Sequence, residues 1–262
     1  MTAKKLPAKK PIIIANWKAY LTRVEEVQRF ALSYTRVAKK YTHVDLSVAP
    51  PFVLLPAALA AFKKVNVRIA AQSVSPFVDE KQTGEVEASM LKSLGVPQVI
   101  VGHSERRHPT VGAGESNDIV RAQVAAAAKS GLTIVLCVGE QERDAAGTHF
   151  STIASQLTSA LEKAVAPATK LMVAYEPVWA IGKSAKDAMQ PADVHEMVIF
   201  IRKTLVEILG RTAGVKVPIL YGGSVEAANA QELLQQGGVS GFLVGHASTK
   251  VDSLTALLDA VR

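Results

Sequence analysis

Short apolar runs rich in β-branched residues alternate with longer stretches of helical periodicity along the whole chain. The runs Ile12–Ala15, Val44–Ala49, Val67–Ala71, Val99–Val101, Thr133–Val138, Leu171–Tyr175, Val217–Leu220 and Gly241–Val244 read as strands. Most are continuously apolar instead of alternating, the pattern of strands buried on both faces of a parallel sheet. The stretches 24–40, 54–64, 88–94, 116–130, 150–165, 192–209, 227–236 and 251–261 carry apolar residues at helical spacing. Ser116 with Asp118, and Asp193, suit helix starts, while Gly131, Gly210 and Gly237 stand just past helix ends. Eight strand–helix units in 262 residues predict an α/β fold, an eight-stranded parallel (β/α)8 barrel. A doubly wound sheet is the other arrangement these units allow. No linker composition divides the chain, so residues 12–262 read as one barrel domain behind a flexible basic tail, residues 1–11.

Polar residues and glycines collect after the strands. In order, the strands lead into Asn16-Trp17-Lys18, Pro50-Pro51, Gln72-Ser73, His103-Ser104-Glu105, Gly139-Glu140, Glu176-Pro177, Tyr221 to Ser224, and Gly245-His246. The opposite loops, such as Gly131-Leu132, hold no such cluster. In a parallel barrel the carboxyl end of the strands carries the active site.

Composition narrows the classes. The net charge is +7, but four of those charges are Lys4, Lys5, Lys9 and Lys10, which leaves +3 for the rest. The remaining cations form no basic run interleaved with aromatics, which argues against nucleic acid and suits an anionic small molecule. No apolar stretch reaches membrane-spanning length. The three isoleucines after Pro11 are too few for a signal-peptide core, and the first ten residues lack the arginine and serine of an organellar presequence. Cys137 is the single cysteine and sits in an apolar run, as a small core residue in a reducing, cytoplasmic setting.

The strand ends offer several side chains for chemistry, each with an ordinary alternative. Glu176 precedes Pro177-Val-Trp-Ala-Ile-Gly182, and a loop so apolar reads either as a lid or as a surface turn with a partly buried Trp179. A lid over Glu176 would expel water and strengthen it as a base. His103 would donate to a substrate oxygen, or else bond only backbone at the strand end. Lys18 and Asn16 would stabilise a developing oxyanion, or form an exposed polar turn. Glu105 would orient Lys18 or His103, or pair with Arg106 or Arg107. Backbone N–H groups at Gly182, Ser224 and Gly245 would cradle a phosphate, though each glycine alone also serves as a turn. Gly182-Lys183-Ser184 imitates the end of a phosphate-binding P-loop, but Pro177 stands where its first glycine belongs. His195-Glu196 lacks the second histidine of a zinc helix, and no other spacing points to a metal.

Eight segments carry a specific resemblance, and they occur in the right order. They are ANWK from Ala15, AQSVSPF from Ala71, TGEVEASM from Thr83, VGHSERR from Val101, LCVGE from Leu136, YEPVWAIG from Tyr175, YGGSV from Tyr221 and GFLVGHAS from Gly241. From near Ile13 to near the C-terminus the chain resembles the triosephosphate isomerases. That resemblance implies a TIM barrel, usually homodimeric and without metal or organic cofactor. Its implied reaction interconverts dihydroxyacetone phosphate and glyceraldehyde 3-phosphate through an enediolate. Carried over residue by residue, Glu176 would move the proton and neutral His103 polarise the carbonyl. Lys18 and Asn16 would face the oxyanion, and Gly182, Ser224, Gly245 and His246 would hold the phosphate.

The chain also departs from the family pattern. Gly245-His246 stands for two glycines, Lys183-Ser184 for Thr-Gly, and Ser73 for Asn; Asp79–Gln82 is more polar than usual, and His108–Gly114 slightly long. Two rivals keep the barrel but change the chemistry. One is a Schiff-base aldolase using Lys170 or Lys18, and the other a phosphometabolite-binding protein without turnover.

Overall fold

The structure, a computed structural model, describes residues 10–262 except 79, 81, 163–166 and 184–187. Eight parallel strands close into a barrel in chain order: β1 (Ile12–Asn16), β2 (Asp45–Ala49), β3 (Arg68–Ala71), β4 (Gln98–Val101), β5 (Thr133–Val138), β6 (Leu171–Tyr175), β7 (Ile219–Tyr221) and β8 (Gly241–Val244). Closure runs through β1, whose Ile12 is in register with Asp45 on one side and Gly241 on the other. The doubly wound alternative is thereby excluded.

Ten α-helices are described: α1 (Val24–Lys40), α2 (Leu55–Phe62), α3 (Ala88–Leu94), α4 (Ser104–Arg107), α5 (Asn117–Lys129), α6 (Thr148–Leu161), α7 (Pro191–Leu209), α8 (Arg211–Gly214), α9 (Ala227–Gln235) and α10 (Val251–Ala260). None among the described residues is long and apolar enough to cross a membrane.

Two apolar layers account for the continuous strand runs. Ile14, Ala49, Ile100, Val135, Cys137, Met172 and Leu220 fill the barrel interior. Their neighbours, such as Ile13, Ala15, Val99, Leu136 and Val173, face outward into the layer shared with the helices. Both faces of most strands are therefore apolar, with Ser47 and Gln98, paired at 3.4 Å, as buried polar exceptions. Helix α1 shows the matching helical logic: it buries Val27, Ala31, Tyr34 and Val37 along one stripe. Glu25 and Glu26 in its first turn and Lys39 and Lys40 in its last complement the helix dipole.

Several boundaries shift for local reasons. Strand β7 begins at Ile219, later than Val217, because Pro218 has no N–H to give the ladder. Leu54 closes a 3-10 turn before α2, which starts with Pro56 in its first turn. Helix α6 starts at Thr148, ahead of Phe150, because the Asp144 carboxylate accepts the Thr148 backbone N–H at 2.9 Å and its hydroxyl at 2.8 Å. The short α4 has no counterpart in the sequence pattern. Residues 1–9 of the expected tail lie outside the described residues, as do Ser184, Asp79 and Lys81; Lys10 donates to the Thr42 carbonyl at 2.6 Å.

One buried contact joins distant parts of the carboxyl rim. The Trp17 indole N–H donates to the Tyr34 hydroxyl at 3.3 Å, and that hydroxyl donates to the Ser248 carbonyl. Trp17 also meets the rings of Phe30 and Tyr34 edge-on, at 5.8 and 5.6 Å. Replacing Tyr34 by Phe keeps the ring and orphans both a buried donor and a buried acceptor. The expected cost is about 1–3 kcal/mol of unfolding free energy, read as a lower denaturation midpoint at unchanged m-value; an unchanged midpoint would mean the hydroxyl carries no such bonds.

Candidate active site

The carboxyl ends of the strands enclose a cavity of about 340 Å3. Asn16, Lys18, His103, Glu176, Gly182, Ser224, Gly245 and His246 all line it. Glu105 does not, and stands just outside, bonded to Lys18. Tyr20 and Glu226 join the lining without having been singled out in the sequence, as does Lys183, which the sequence marked only as a departure from the family pattern.

Glu176 follows β6 directly and is buried. Its Oε2 accepts the Ser104 backbone N–H at 2.9 Å, and its Oε1 lies 3.1 Å from His103 Nε2. Two glycines make room for this segment. A Cβ at Gly139 would fall 1.8 Å from the Glu176 carbonyl oxygen, and one at Gly222 would fall 2.8 Å from its Cγ. Below it, burial and then the Glu176 carboxylate push the Cys137 thiol well above its ordinary value, so the cysteine is an inert core residue.

His103 caps α4. Its Nδ1 accepts the Glu105 backbone N–H at 3.2 Å. A ring nitrogen that accepts carries no hydrogen, so the imidazole bonded this way is the neutral tautomer with its proton on Nε2, aimed at Glu176. The histidine thus bonds backbone through one nitrogen and presents the other to the cavity. The short α4 was invisible to periodicity, yet it sets both the tautomer and the Ser104 donor.

Lys18 is the only non-glycine residue among those described with positive φ, at 44°. The left-handed region costs an L-residue roughly 1–2 kcal/mol, and three bonds hold it there. Its N–H donates to Asn16 Oδ1 at 3.0 Å, and its carbonyl accepts Gln72 Nε2 at 2.9 Å. The same Gln72 amide donates to Ala49 O at 2.8 Å, tying the turn to β2. The Lys18 ammonium meets Glu105 Oε1 at 2.5 Å, and its stem passes close to Gly245, whose absent Cβ would sit 3.5 Å from Lys18 Cε. Of the alternatives for Glu105, the arginine pairs fall away, while its Oε2 stands 3.9 Å from His103 Nδ1. Glu105 takes Lys18, while Arg106 Nε takes Glu115 at 2.6 Å and the buried Arg107 bonds Gly102 O and Asn117 Oδ1, both at 2.9 Å.

The segment after Glu176 forms a 3-10 turn, Val178–Ala180, folded against the rim. It rests on Glu140, which the sequence placed after β5 without giving it a task. Glu140 Oε1 accepts the Trp179 indole N–H at 2.9 Å, the Tyr175 hydroxyl at 2.8 Å and Arg143 Nε at 3.2 Å. Trp179 has two cations near its ring, Arg143 at 5.7 Å and Lys183 at 5.6 Å from the ring centre. Ser224 Oγ donates to the Ala180 carbonyl at 2.9 Å, which ties this turn to the loop after β7. Glu140 and Arg143 were missed because the rings they meet, Tyr175 and Trp179, lie more than 30 residues away; an acidic residue closing an apolar strand run was the one available signal.

His246 opens a 3-10 turn, His246–Thr249, and its φ is not positive, so the substitution carries none of the strain a left-handed glycine site would impose. Its ring meets Tyr20 edge-on at 5.6 Å on the rim. Gly182 does need its freedom, at φ 76°. Lys170 sits at the other end of β6, its Nζ donating to the Gly131 carbonyl at 2.7 Å.

Comparison with known proteins accords with this geometry. The family model of triosephosphate isomerase matches residues 11–261. The triosephosphate isomerase of Carboxydothermus hydrogenoformans is 40% identical over 253 residues, covering 95% of this chain and 98% of its own. That of Flavobacterium johnsoniae is 35% identical, covering 97% and 100%. Among solved structures, the crystal structure of triosephosphate isomerase from Bartonella henselae superposes with a TM-score of 0.80 at 33% identity, over 96% of this chain and 98% of that one. Matched from its first strand to its last helix, and sharing its barrel with a solved member, the chain belongs to the triosephosphate isomerase family of isomerases.

Proposed function

We propose that the chain interconverts dihydroxyacetone phosphate and D-glyceraldehyde 3-phosphate by moving one proton between adjacent carbons through an enediolate. The observation that carries this reading is the pairing of a buried carboxylate, Glu176, with a neutral His103 whose Nε2 proton points at it across 3.1 Å. Substrate entering between them would leave Glu176 facing a carbon and Nε2–H facing the oxygen. Glu176 takes the proton from one carbon. The freed electron pair becomes the carbon–carbon double bond, and the carbonyl electrons move onto oxygen. His103 donates to that oxygen, and the Lys18 ammonium offsets its charge. Asn16 has its Oδ1 committed to the Lys18 N–H, which leaves its amide hydrogens to donate. His103 takes up the hydroxyl proton of the neighbouring oxygen as it gives its own to the first, and return of the abstracted proton from Glu176 to the neighbouring carbon completes the isomerisation.

The phosphate would lie against Gly182, Ser224, Gly245 and His246, which line the far side of the cavity on three separate loops. Backbone N–H groups there suit a dianion without a charged side chain in contact. The turn of Val178–Ala180, with Trp179 anchored on Glu140, acts as the lid that keeps water from the enediolate. The aldolase reading is disfavoured by both of its lysines: Lys170 is bonded at the opposite end of the barrel, and Lys18 is held as an ion pair.

We also infer a homodimer in which the loop around Thr83 reaches the partner's turn at residues 16–18.

Two measurements bear on these readings. Glu176→Gln keeps the shape and removes the base; it is expected to fold, to bind inorganic phosphate as the parent does, and to lose about three decades of kcat. Activity within tenfold of the parent would remove Glu176 from the role. Sedimentation equilibrium is expected to give twice the chain mass, and a fully active monomer would refute the assembly.

A further inference from the structure

The amino end of the barrel holds a second cavity, of about 370 Å3, far from the first. It lies where the chain enters β1, between the turn leading into β7 and the residues just before β8. Ile12, Val217, Leu234 and Val239 give it apolar walls. Three cations, Lys10, Arg202 and Lys216, stand on it, and no carboxylate among the described residues lines it.

Arg202 is the informative member. It projects from α7 and is partly buried, and its Nη1 donates to the carbonyls of Gly214 at 2.7 Å and Val217 at 2.5 Å. Those two bonds fix the guanidinium plane but bring it no negative charge. Its Nε and Nη2 hydrogens have no protein partner among the described residues. Burial alone lowers the affinity of this group for its proton, with no acid offsetting it. Lys10 spends one hydrogen on the Thr42 carbonyl and keeps the rest, and Lys216 is exposed beside the opening. A partly buried, oriented guanidinium without an anion is costly to keep, and two further ammonium groups at the same cavity add to its positive potential.

We propose that this cavity is an anion site, taking a phosphate monoester with a small apolar body. A planar fork with free N–H groups suits two phosphate oxygens, three cations match a dianion better than a monoanion, and the apolar walls leave room for more than a bare ion. The site cannot overlap the catalytic cavity. It opens at the start of β1, and Asn16 is four residues along that strand, roughly 13 Å away at the usual rise. A ligand here would therefore not compete with substrate.

Phenyl phosphate is the probe, titrated calorimetrically into the full chain and into the double variant Lys10→Gln, Lys216→Gln. The two proteins share the same catalytic cavity, so their difference isolates this site. The expected result is a binding event in the parent that weakens at least threefold in the double variant, with kcat and KM for isomerisation unchanged within twofold. Benzoate and inorganic phosphate should each bind this site more weakly than phenyl phosphate, the first lacking the second charge and the second lacking the ring. Arg202→Met should weaken binding further, but it also frees two carbonyls, so the lysine pair decides. Isotherms that agree within threefold between the parent and the double variant would overturn the proposal. So would a loss in the double variant accompanied by an equal change in KM, since that would place the ligand in the catalytic cavity.

Discussion

Ring closure between β8 and β1 is the constraint from which the site follows. Eight parallel strands that close in order send every carboxyl end to the same rim, so residues as distant as Asn16 and Gly245 line one cavity. The interior of the ring must then be packed solid. Ile14, Ile100, Cys137 and Leu220 do that, and they form the dry floor beneath Glu176. Because that floor is apolar, the carboxylate can be buried only if each oxygen finds a donor, and Ser104 N–H and His103 Nε2 supply one apiece.

The same logic explains why the rim is cross-braced. A strained Lys18 turn would relax if left alone, and Asn16, Gln72 and Ala49 hold it through three bonds from three strand ends. Tyr34 then links that turn to the loop after β8 through Trp17 and Ser248. The pieces proposed to face the oxyanion and those proposed to face the phosphate are therefore one connected body. Precision at the reacting atoms depends on such support, since a misplacement of about 1 Å in a positioned group costs roughly a hundredfold in rate.

The strands were legible because burial on both faces leaves an unmistakable apolar run, and the rim was legible because it breaks that run with polar residues. Glu176, His103 and Lys18 could be named on those grounds, but the choice between their working and ordinary roles could not. His103 shows why: bonding backbone and facing the cavity turned out to be compatible, since the ring has two nitrogens. Helix α4 has four residues, too few to show a period, and the donor at Ser104 is backbone and leaves no mark on the side-chain pattern. Glu140 was visible as a residue and silent as a function, because its meaning lies in Trp179 and Tyr175, folded onto it from the next strand. Pro218 could have set the start of β7 from the sequence, since the missing N–H was there to read.

The chain has two tryptophans, and the fold gives them opposite circumstances. Trp17 is sealed in an aromatic cluster, with its indole N–H committed to Tyr34. Trp179 sits in the turn after Glu176, bonded to a carboxylate and with two cations near its ring. Charges so close to an indole shift its emission, whereas the sealed ring supplies a constant background. The protein thus carries its own optical gauge, and a change in its emission colour on adding ligand would report the position of that one turn, without any label.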